Sequence, residues 1–469
     1  MKHCKNIFLL LLFVVSCLCL FWLTGSRTPW IFKDDGGAGE ITAYLGDVPV
    51  QNYDRMGFTG AQIAYVVKEK TWLVGTERNE LFLFDNEGRQ LWKRSLGTGK
   101  LVSLAVSGDG TLAFVGESSA DGYYYAIDVK SGDVRYRIKG GDLVGSDPGK
   151  RSFPSAVHIA VDGQGNQYIN FYRFLIDQKG NRGYTGRMLS LDMEGKRRWV
   201  FPEKENIDSW INWCDVSQQG DRVVLATSAY DFRPEMKYKD TLYFLDKGTG
   251  RLLDSAFLPT VEPFDNTVMR CSPNFGPDGK HLAGMASDGR GFYLDETGRV
   301  LWSRFLSKPA RVDGSWLNAS GRDGYILPEG VFFTTINTFN RENWQLPTPV
   351  THPSDNSLFS FTPEGKYRYQ YRAGGTMASL AFARGMAAIA IGRNVRTHDY
   401  KVHGALLLRL QDGKVLESFH TEGPCEAVGV SDDAATMAAV EVPALTPEGK
   451  IIGAYRLHLW KLHTHPAEQ

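Results

Sequence analysis

The chain has 469 residues, with Lys+Arg and Asp+Glu both at 53, a formal charge of zero and a pI near 7.1. That balance excludes the strong basic excess by which a nucleic-acid or polyanion partner announces itself. Fifty glycines and 12% aromatic residues fit an all-β protein with many tight turns, and a hydrophobic fraction of 42% is ample for a large core.

The amino-terminal segment is a separate object. Lys2, His3 and Lys5 precede an uncharged apolar run from Ile7 to Leu23, and Arg27 follows. The run is at the short limit of a membrane-spanning helix and longer than a usual signal-peptide core. The preceding charges favour a cytoplasmic amino terminus, with the rest of the chain on the far side of the membrane. Three fates fit these residues: an uncleaved signal anchor, which the length of the run favours; cleavage after Ser26; or lipidation at Cys17. For the last, Val14-Val15-Ser16-Cys17 resembles a lipobox, although Leu18–Leu23 continues apolar where a lipoprotein turns polar. All three export the body, giving 1–26 as anchor or signal peptide, 27–39 as linker, 40–463 as the folded domain and 464–469 as a tail. The exported body keeps Cys214, Cys271 and Cys425, an odd number at wide spacing and no disulfide framework.

From Leu81 onward a phrase returns: an apolar strand, an Asp-x-x-Gly turn, then a strand that often carries Trp or Tyr. It reads LFLFDNEGRQLW over Leu81–Trp92, YYYAIDVKSGDVRY over Tyr123–Tyr136 and MLSLDMEGKRRW over Met188–Trp199. It recurs at Leu242–Leu253, Gly291–Trp302, Leu358–Tyr369 and Leu406–Glu417. The turn glycines are Gly88, Gly132, Gly195, Gly250, Gly298, Gly365 and Gly413, spaced from 44 (Gly88 to Gly132) to 67 residues (Gly298 to Gly365). A period of that size means units that bury their apolar faces only by stacking on their neighbours. Two more strand-like runs precede each phrase, so each unit holds four strands in the order A, B, C, D.

Counting by this rule gives units at 61–96, 101–139, 155–202, 211–258, 267–306, 316–373 and 377–420. An eighth begins at Glu426–Val430 and has Tyr455–Leu462 as its third strand. No chain remains for its fourth, and Glu40–Gly46 can supply it, closing a ring and removing exposed sheet edges. The expected fold is a single all-β propeller of eight four-stranded blades. Seven is the alternative, because the A and B strands of the sixth unit are poorly marked.

The phrase resembles the pyrroloquinoline-quinone-like repeat, and the A–B segments, such as CSPNFGPDGKHLAGMAS over Cys271–Ser287, resemble WD-type repeats. The resemblance covers 40–462 and implies a propeller fold. Its members include quinoprotein dehydrogenases and the lipoprotein scaffold of the outer-membrane β-barrel assembly machinery. The chain is closer to the non-enzymatic envelope scaffolds, because it lacks the adjacent cysteines that the dehydrogenases use, and no cofactor is expected.

The repeated Trp92, Trp199 and Trp302 fall at one blade position, which suits packing between blades. The repeated Asp85, Asp128, Asp192, Asp246 and Asp295 each begin a tight turn. No Gly-x-Ser-x-Gly, His-Glu-x-x-His or Walker loop is present, and no catalytic or metal residue is assigned. Asn318-Ala319-Ser320 is a glycosylation sequon. The long connections are better signals. Gly140–Pro154, Arg173–Gly186, Ala229–Asp240, Ser307–Ser315, Thr338–Asn356, Arg393–Gly404 and Pro443–Ala454 are all D–A or B–C connections, which emerge on one propeller face. They carry Phe153, Tyr172, Arg173, Tyr230, Phe232, Arg233, Tyr238, Arg341, Trp344, Arg396, His398 and Tyr400, residue types frequent at binding hot spots. The expected function is a membrane-tethered, extracytoplasmic scaffold that binds a protein partner in the cell envelope through this face. The alternative is a quinone-dependent oxidoreductase, or another propeller enzyme, with its site at the mouth of a central channel. A small ligand in that channel also fits.

Overall fold

A computed structural model describes residues 40–54, 61–228, 236–239, 241–262, 264, 267–269, 273–341, 348–395 and 398–463. All of them belong to the compact unit Asp34–Gln469. The expected signal segment, including Cys17, lies outside the described residues, as do Cys271, Tyr230, Phe232, Arg233, Trp344 and Arg396. Among the described residues no helix is long and apolar enough to cross a membrane.

Antiparallel sheets follow one another along the chain. Sheets one to seven span 62–95, 100–139, 155–201, 210–256, 274–305, 310–372 and 377–420. Sheets two and three touch edge to edge through a single pairing, Ser155 with Ser118. The last sheet takes Cys425–Val430, Thr436–Glu441 and Arg456–Lys461 from the carboxyl end, and Glu40–Tyr44 as its outer strand. Glu40 pairs with Trp460 and Tyr44 with Arg456, so the two ends of the chain share one sheet.

Two expectations need correction. The span 173–186 is mostly not a loop: Gln167–Ile176 and Arg182–Leu191 pair along their whole length, leaving only Asp177–Asn181 as a turn. The sixth sheet has five strands, because Ala310–Val312 in the predicted connection pairs back onto Ser315–Leu317. Its poor marking in sequence has a physical origin. Ser315–Leu327 is rich in Ser, Asn, Gly, Arg and Asp, and its pairing slips twice, which breaks the two-residue alternation.

Successive sheets are tied by hydrogen bonds or an ion pair. Ser103 donates to the Ala156 carbonyl (2.7 Å), and the Phe275 N–H to Asp215 (2.7 Å). Asn274 donates to the Gly324 carbonyl (2.6 Å), and Arg322 to that of Ala378. Arg393 pairs with Glu426 (3.6 Å), and the Glu77 N–H reaches the Tyr455 hydroxyl (3.3 Å), which joins the last sheet to the first. Sheets tied in cyclic order around shared first strands make the arrangement of a β-propeller.

The repeated phrase supplies the outer ties. The indole N–H of Trp92 donates to the Val129 carbonyl (2.9 Å), that of Trp199 to Lys247 (3.2 Å) and that of Trp302 to Pro363 (2.8 Å), each on the following sheet. The Asp carboxylates accept backbone N–H groups of their own turns, as Asp246 does from Thr249 (2.7 Å) and Asp295 from Arg299 (3.0 Å). The hydroxyl of Thr249 holds the Asp246 carboxyl below its usual range; burial works to raise it, and the backbone N–H groups of the turn add to the lowering. Gly250 shows why the turn ends in glycine. Its φ is +71°, and a Cβ there would meet the Trp199 ring at 2.5 Å. Gly250→Ala therefore combines left-handed strain of about 1–2 kcal/mol with overpacking of about 1–3 kcal/mol. Urea unfolding should show a loss of roughly 2–5 kcal/mol, whereas Gly248→Ala, two residues away in the same turn, should be nearly silent.

Candidate functional site

A cavity of about 730 Å³ is lined by Gln62, Lys100, His158, Trp210, Trp213, Arg322, Asp323, Ser379 and Glu426 among others. Its walls come mainly from the amino-terminal halves of the first strands: 61–63, 100–104, 157–159, 210 and 213, 378–379, 426–427. The D–A connections enter at that end, so the cavity lies toward the face that collects the long connections.

One backbone device recurs in this wall. The pairing of the first strand with the second slips by a residue between Leu101 and Ser103, Ala156 and His158, Ile211 and Trp213, Gly321 and Asp323, Met377 and Ser379, and Cys425 and Ala427. A β-bulge leaves one residue out of the ladder and re-aims its neighbours. Val102, Val157, Arg322, Ala378 and Glu426 occupy equivalent bulge positions, and all five line the cavity. In three sheets an apolar side chain satisfies this position. The charges of Arg322 and Glu426 are thus not a requirement of the bulge.

The charged groups are paired. Arg322 Nε lies 3.2 Å from Asp323 Oδ2, Arg393 lies 3.6 Å from Glu426, and Lys100 pairs with Glu77. Burial pushes the Asp323 carboxyl up, against the pull of Arg322, and raises that of Glu426, against Arg393 and Arg322. Burial also lowers the His158 imidazole to about 4, opposed by a hydrogen bond to the Cys214 backbone. His158 is therefore neutral at physiological pH. Beneath the wall Asp215 is pushed up to about 7 by burial, against hydrogen bonds from the Phe275 and Val216 N–H groups.

Sheets three and four supply an aromatic wall. Trp210 and Trp213 meet edge to face at 5.1 Å, Tyr184 lies 6.1 Å from Trp210, and Tyr172 lies 6.1 Å from Tyr184. These tryptophans are off the repeat position and do not serve as outer ties. The sequence reading did not single them out; the available signal was two tryptophans three residues apart, outside the repeated phrase.

The described members of the predicted binding face are mostly internal supports. Arg173 donates to the Val144 carbonyl (2.6 Å) and Ser152 hydroxyl (3.1 Å), bracing the 140–154 connection. Tyr238 is buried, with its hydroxyl on Glu205 (2.8 Å). Arg341 donates to Ser287 O (2.6 Å) and lies 3.7 Å over the Phe264 ring. His398 pairs with Asp54 (2.6 Å), and the Tyr400 hydroxyl with Glu448 (3.1 Å), around a buried Tyr53 that meets His403 at 2.7 Å. There the segment after the closing strand is fastened, Gln51–Asn52 pairing with Ala444–Leu445 and that in turn with Ile451–Ile452. Phe153 is half-buried, and Tyr172 belongs to the cavity wall. Asn318 is fully buried, which closes its sequon to modification in the folded chain.

Cys214 and Cys425 are also fully buried, and burial raises both thiols. Among the described residues no three His, Cys, Asp or Glu side chains are grouped to hold a metal.

No protein-family model matches the sequence, and no curated protein does. Among solved structures the chain is similar to the β-propeller domain of Cps50 (Swd1) from Myceliophteria thermophila, at 11% identity and a TM-score of 0.43, covering 78% of this chain and 98% of that one.

Proposed function

We propose that the chain is an eight-bladed propeller of the pyrroloquinoline-quinone-like repeat type that acts as a non-enzymatic scaffold, binding a protein partner through its long-connection face. The amino-terminal apolar run supports tethering to the membrane, with the propeller on the extracytoplasmic side in the cell envelope. The observation that carries the binding reading is the one-sidedness of the connections. The D–A and B–C spans hold a short helix, extra strands and an extended hairpin, while the opposite connections are short, tight turns. A face that collects irregular chain on a rigid frame is where binding residues accumulate.

The test compares charge reversals on the two faces in a pull-down from envelope extract. Arg151→Glu and Lys179→Glu with Val350→Asp alter exposed positions of the long-connection face. Glu87→Arg, Lys130→Glu and Glu194→Arg alter exposed positions of the other. The first set should release partners that the second retains; equal loss from both sets would sink the reading.

A second reading, an enzyme working in the central cavity, draws on the convergence of His158, Asp323 and Glu426 there. The arginine partners of both carboxylates favour the scaffold. Reconstitution with pyrroloquinoline quinone and calcium should give no dye reduction if the scaffold reading holds.

A further inference from the structure

We propose that the central cavity binds a neutral sugar of one or two rings, stacked on the Trp210–Trp213 wall and hydrogen-bonded by the Arg322–Asp323 pair and Glu426. The inference concerns a different surface from the protein-binding face and stands or falls separately from it.

Size comes first. A cavity of about 730 Å³ lies within the range of pockets that enclose a small organic ligand, roughly 300–1,000 Å³. Chemistry then narrows the occupant. Trp210 and Trp213 are half-buried and present indole surface to the cavity from the first strand of sheet four. The bulge between Ile211 and Trp213 is what lets residues three apart share one side of a strand. Glu426 sits four places round the ring from that strand, and Arg322 two. Both stand at bulge positions that Val102, Val157 and Ala378 fill elsewhere, so nothing in the backbone demands a charge there.

Three ligand classes fit these walls poorly. An anion would find each arginine already beside a carboxylate, Arg322 with Asp323 and Arg393 with Glu426. A quaternary ammonium would find the aromatic surface, but the nearby carboxylates are neutralised by those same arginines. An apolar ligand would strip water from Gln62, Ser320, Ser379, Asp323 and Glu426 with no hydrogen bonds in return. A neutral polyol ring meets both demands. Its C–H face lies on indole, and its hydroxyls, each a donor and an acceptor, satisfy forked guanidinium and carboxylate groups that are already mutually paired.

The test is isothermal titration calorimetry of the full-length chain with maltose, cellobiose and N,N′-diacetylchitobiose, and with choline and glucose 6-phosphate as charged comparators. At least one neutral disaccharide should give saturable heat, with both charged probes weaker. Trp213→Ala should raise its Kd by about tenfold or more, while Trp213→Phe, which keeps an aromatic surface, should raise it less. Glu426→Gln, which keeps the shape and the carbonyl acceptor, should weaken binding; it also removes the counter-charge of Arg393, so its titration is run well below its own, lowered melting temperature. Absence of saturable heat with all three sugars would overturn the proposal, as would a Kd that Trp213→Ala leaves unchanged or tighter binding of either charged probe. None of these outcomes bears on partner capture by the long-connection face, which the pull-down reads.

Discussion

Glu441→Ala is expected to destabilise the protein by about 3–5 kcal/mol, the cost of leaving a buried ionic partner uncompensated. Glu441 is fully buried in the sheet that joins the two ends of the chain. One oxygen accepts the Gly423 N–H at 2.6 Å, and the other faces His458 Nε2 at 2.8 Å and Arg456 at 3.7 Å. His458, itself buried, turns its other nitrogen to Glu40 Oε1 at 2.6 Å. Glu40 opens the outer strand of that sheet, so the imidazole bridges the amino-terminal strand to the carboxyl-terminal hairpin. A ring nitrogen facing a carboxylate on each side must donate from both, which makes His458 an imidazolium. Glu40→Gln should cost far less, about 1 kcal/mol or under, because Glu40 is half-exposed. Urea unfolding checks both values, and equal losses would refute the assignment of the buried carboxylate as the anchor.

The same bridge makes closure depend on pH. Burial works to lower the His458 pKa, but hydrogen bonds to Glu40 and Glu441 outweigh it, and the pKa stands above the ordinary 6.5. A folded-state pKa above the unfolded one stabilises fully below the unfolded value and loses that contribution as pH rises through the folded value. Glu40 runs the other way. The His458 hydrogen bond holds its carboxyl below the ordinary 4.5, so its share is present above that value and lost as pH falls through the lower folded one. The closing sheet is therefore firmest between about pH 4.5 and 6.5 and weakens as pH rises past neutrality. The urea midpoint should drop between about pH 6 and pH 8, and the paired change His458→Phe with Glu441→Leu should flatten that drop. An unchanged slope in the double variant would refute the bridge as its source.

The ring and its closure were legible because their determinants are local. Asp246, Thr249 and Gly250 write a turn in five consecutive residues, and Trp199 declares by its recurring position that it packs on the next turn. Closure followed from counting, since the last unit lacked a strand and Glu40–Tyr44 was unassigned. The cavity was not legible. Its walls are set by bulges in the first strands, and a bulge arises from how two strands register against each other rather than from either alone. Regular alternation would send Trp210 and Trp213 to opposite faces; the slip at Ile211 brings both to the cavity. The loop residues are a different case. Arg173, Tyr238, Arg341 and Tyr400 have the composition of a binding surface, yet each finds a partner in another connection or turn of the fold. Aromatic and arginine side chains serve equally well to hold a long connection in place, and composition does not separate the two uses.

The second large effect is expected at Asp288, where one carboxylate fastens a long connection. Asp288 is fully buried in the turn between the second and third strands of sheet five. It accepts the Arg290 N–H at 3.0 Å, the Arg290 guanidinium at 2.8 and 2.6 Å and the Thr267 hydroxyl at 3.0 Å. Arg290, also buried, donates to the Pro259 carbonyl and lies 4.7 Å over Phe292. Thr267 and Pro259 both belong to the chain between sheets four and five, so this one pair holds that connection at two points. Asp288→Ala should cost about 3–5 kcal/mol, because the guanidinium stays buried without its counter-charge. Asp288→Asn, which retains acceptor oxygen but no charge, should cost less. Replacing both partners, Asp288→Leu with Arg290→Met, should recover much of the loss, since two apolar side chains leave no charge stranded. The connection itself gives an independent readout: limited proteolysis should cut near Phe257, which is already exposed, faster in Asp288→Ala than in the native chain. If Asp288→Ala unfolds within about 1 kcal/mol of wild type, or if the double variant is worse than the single one, the pair does not anchor this connection.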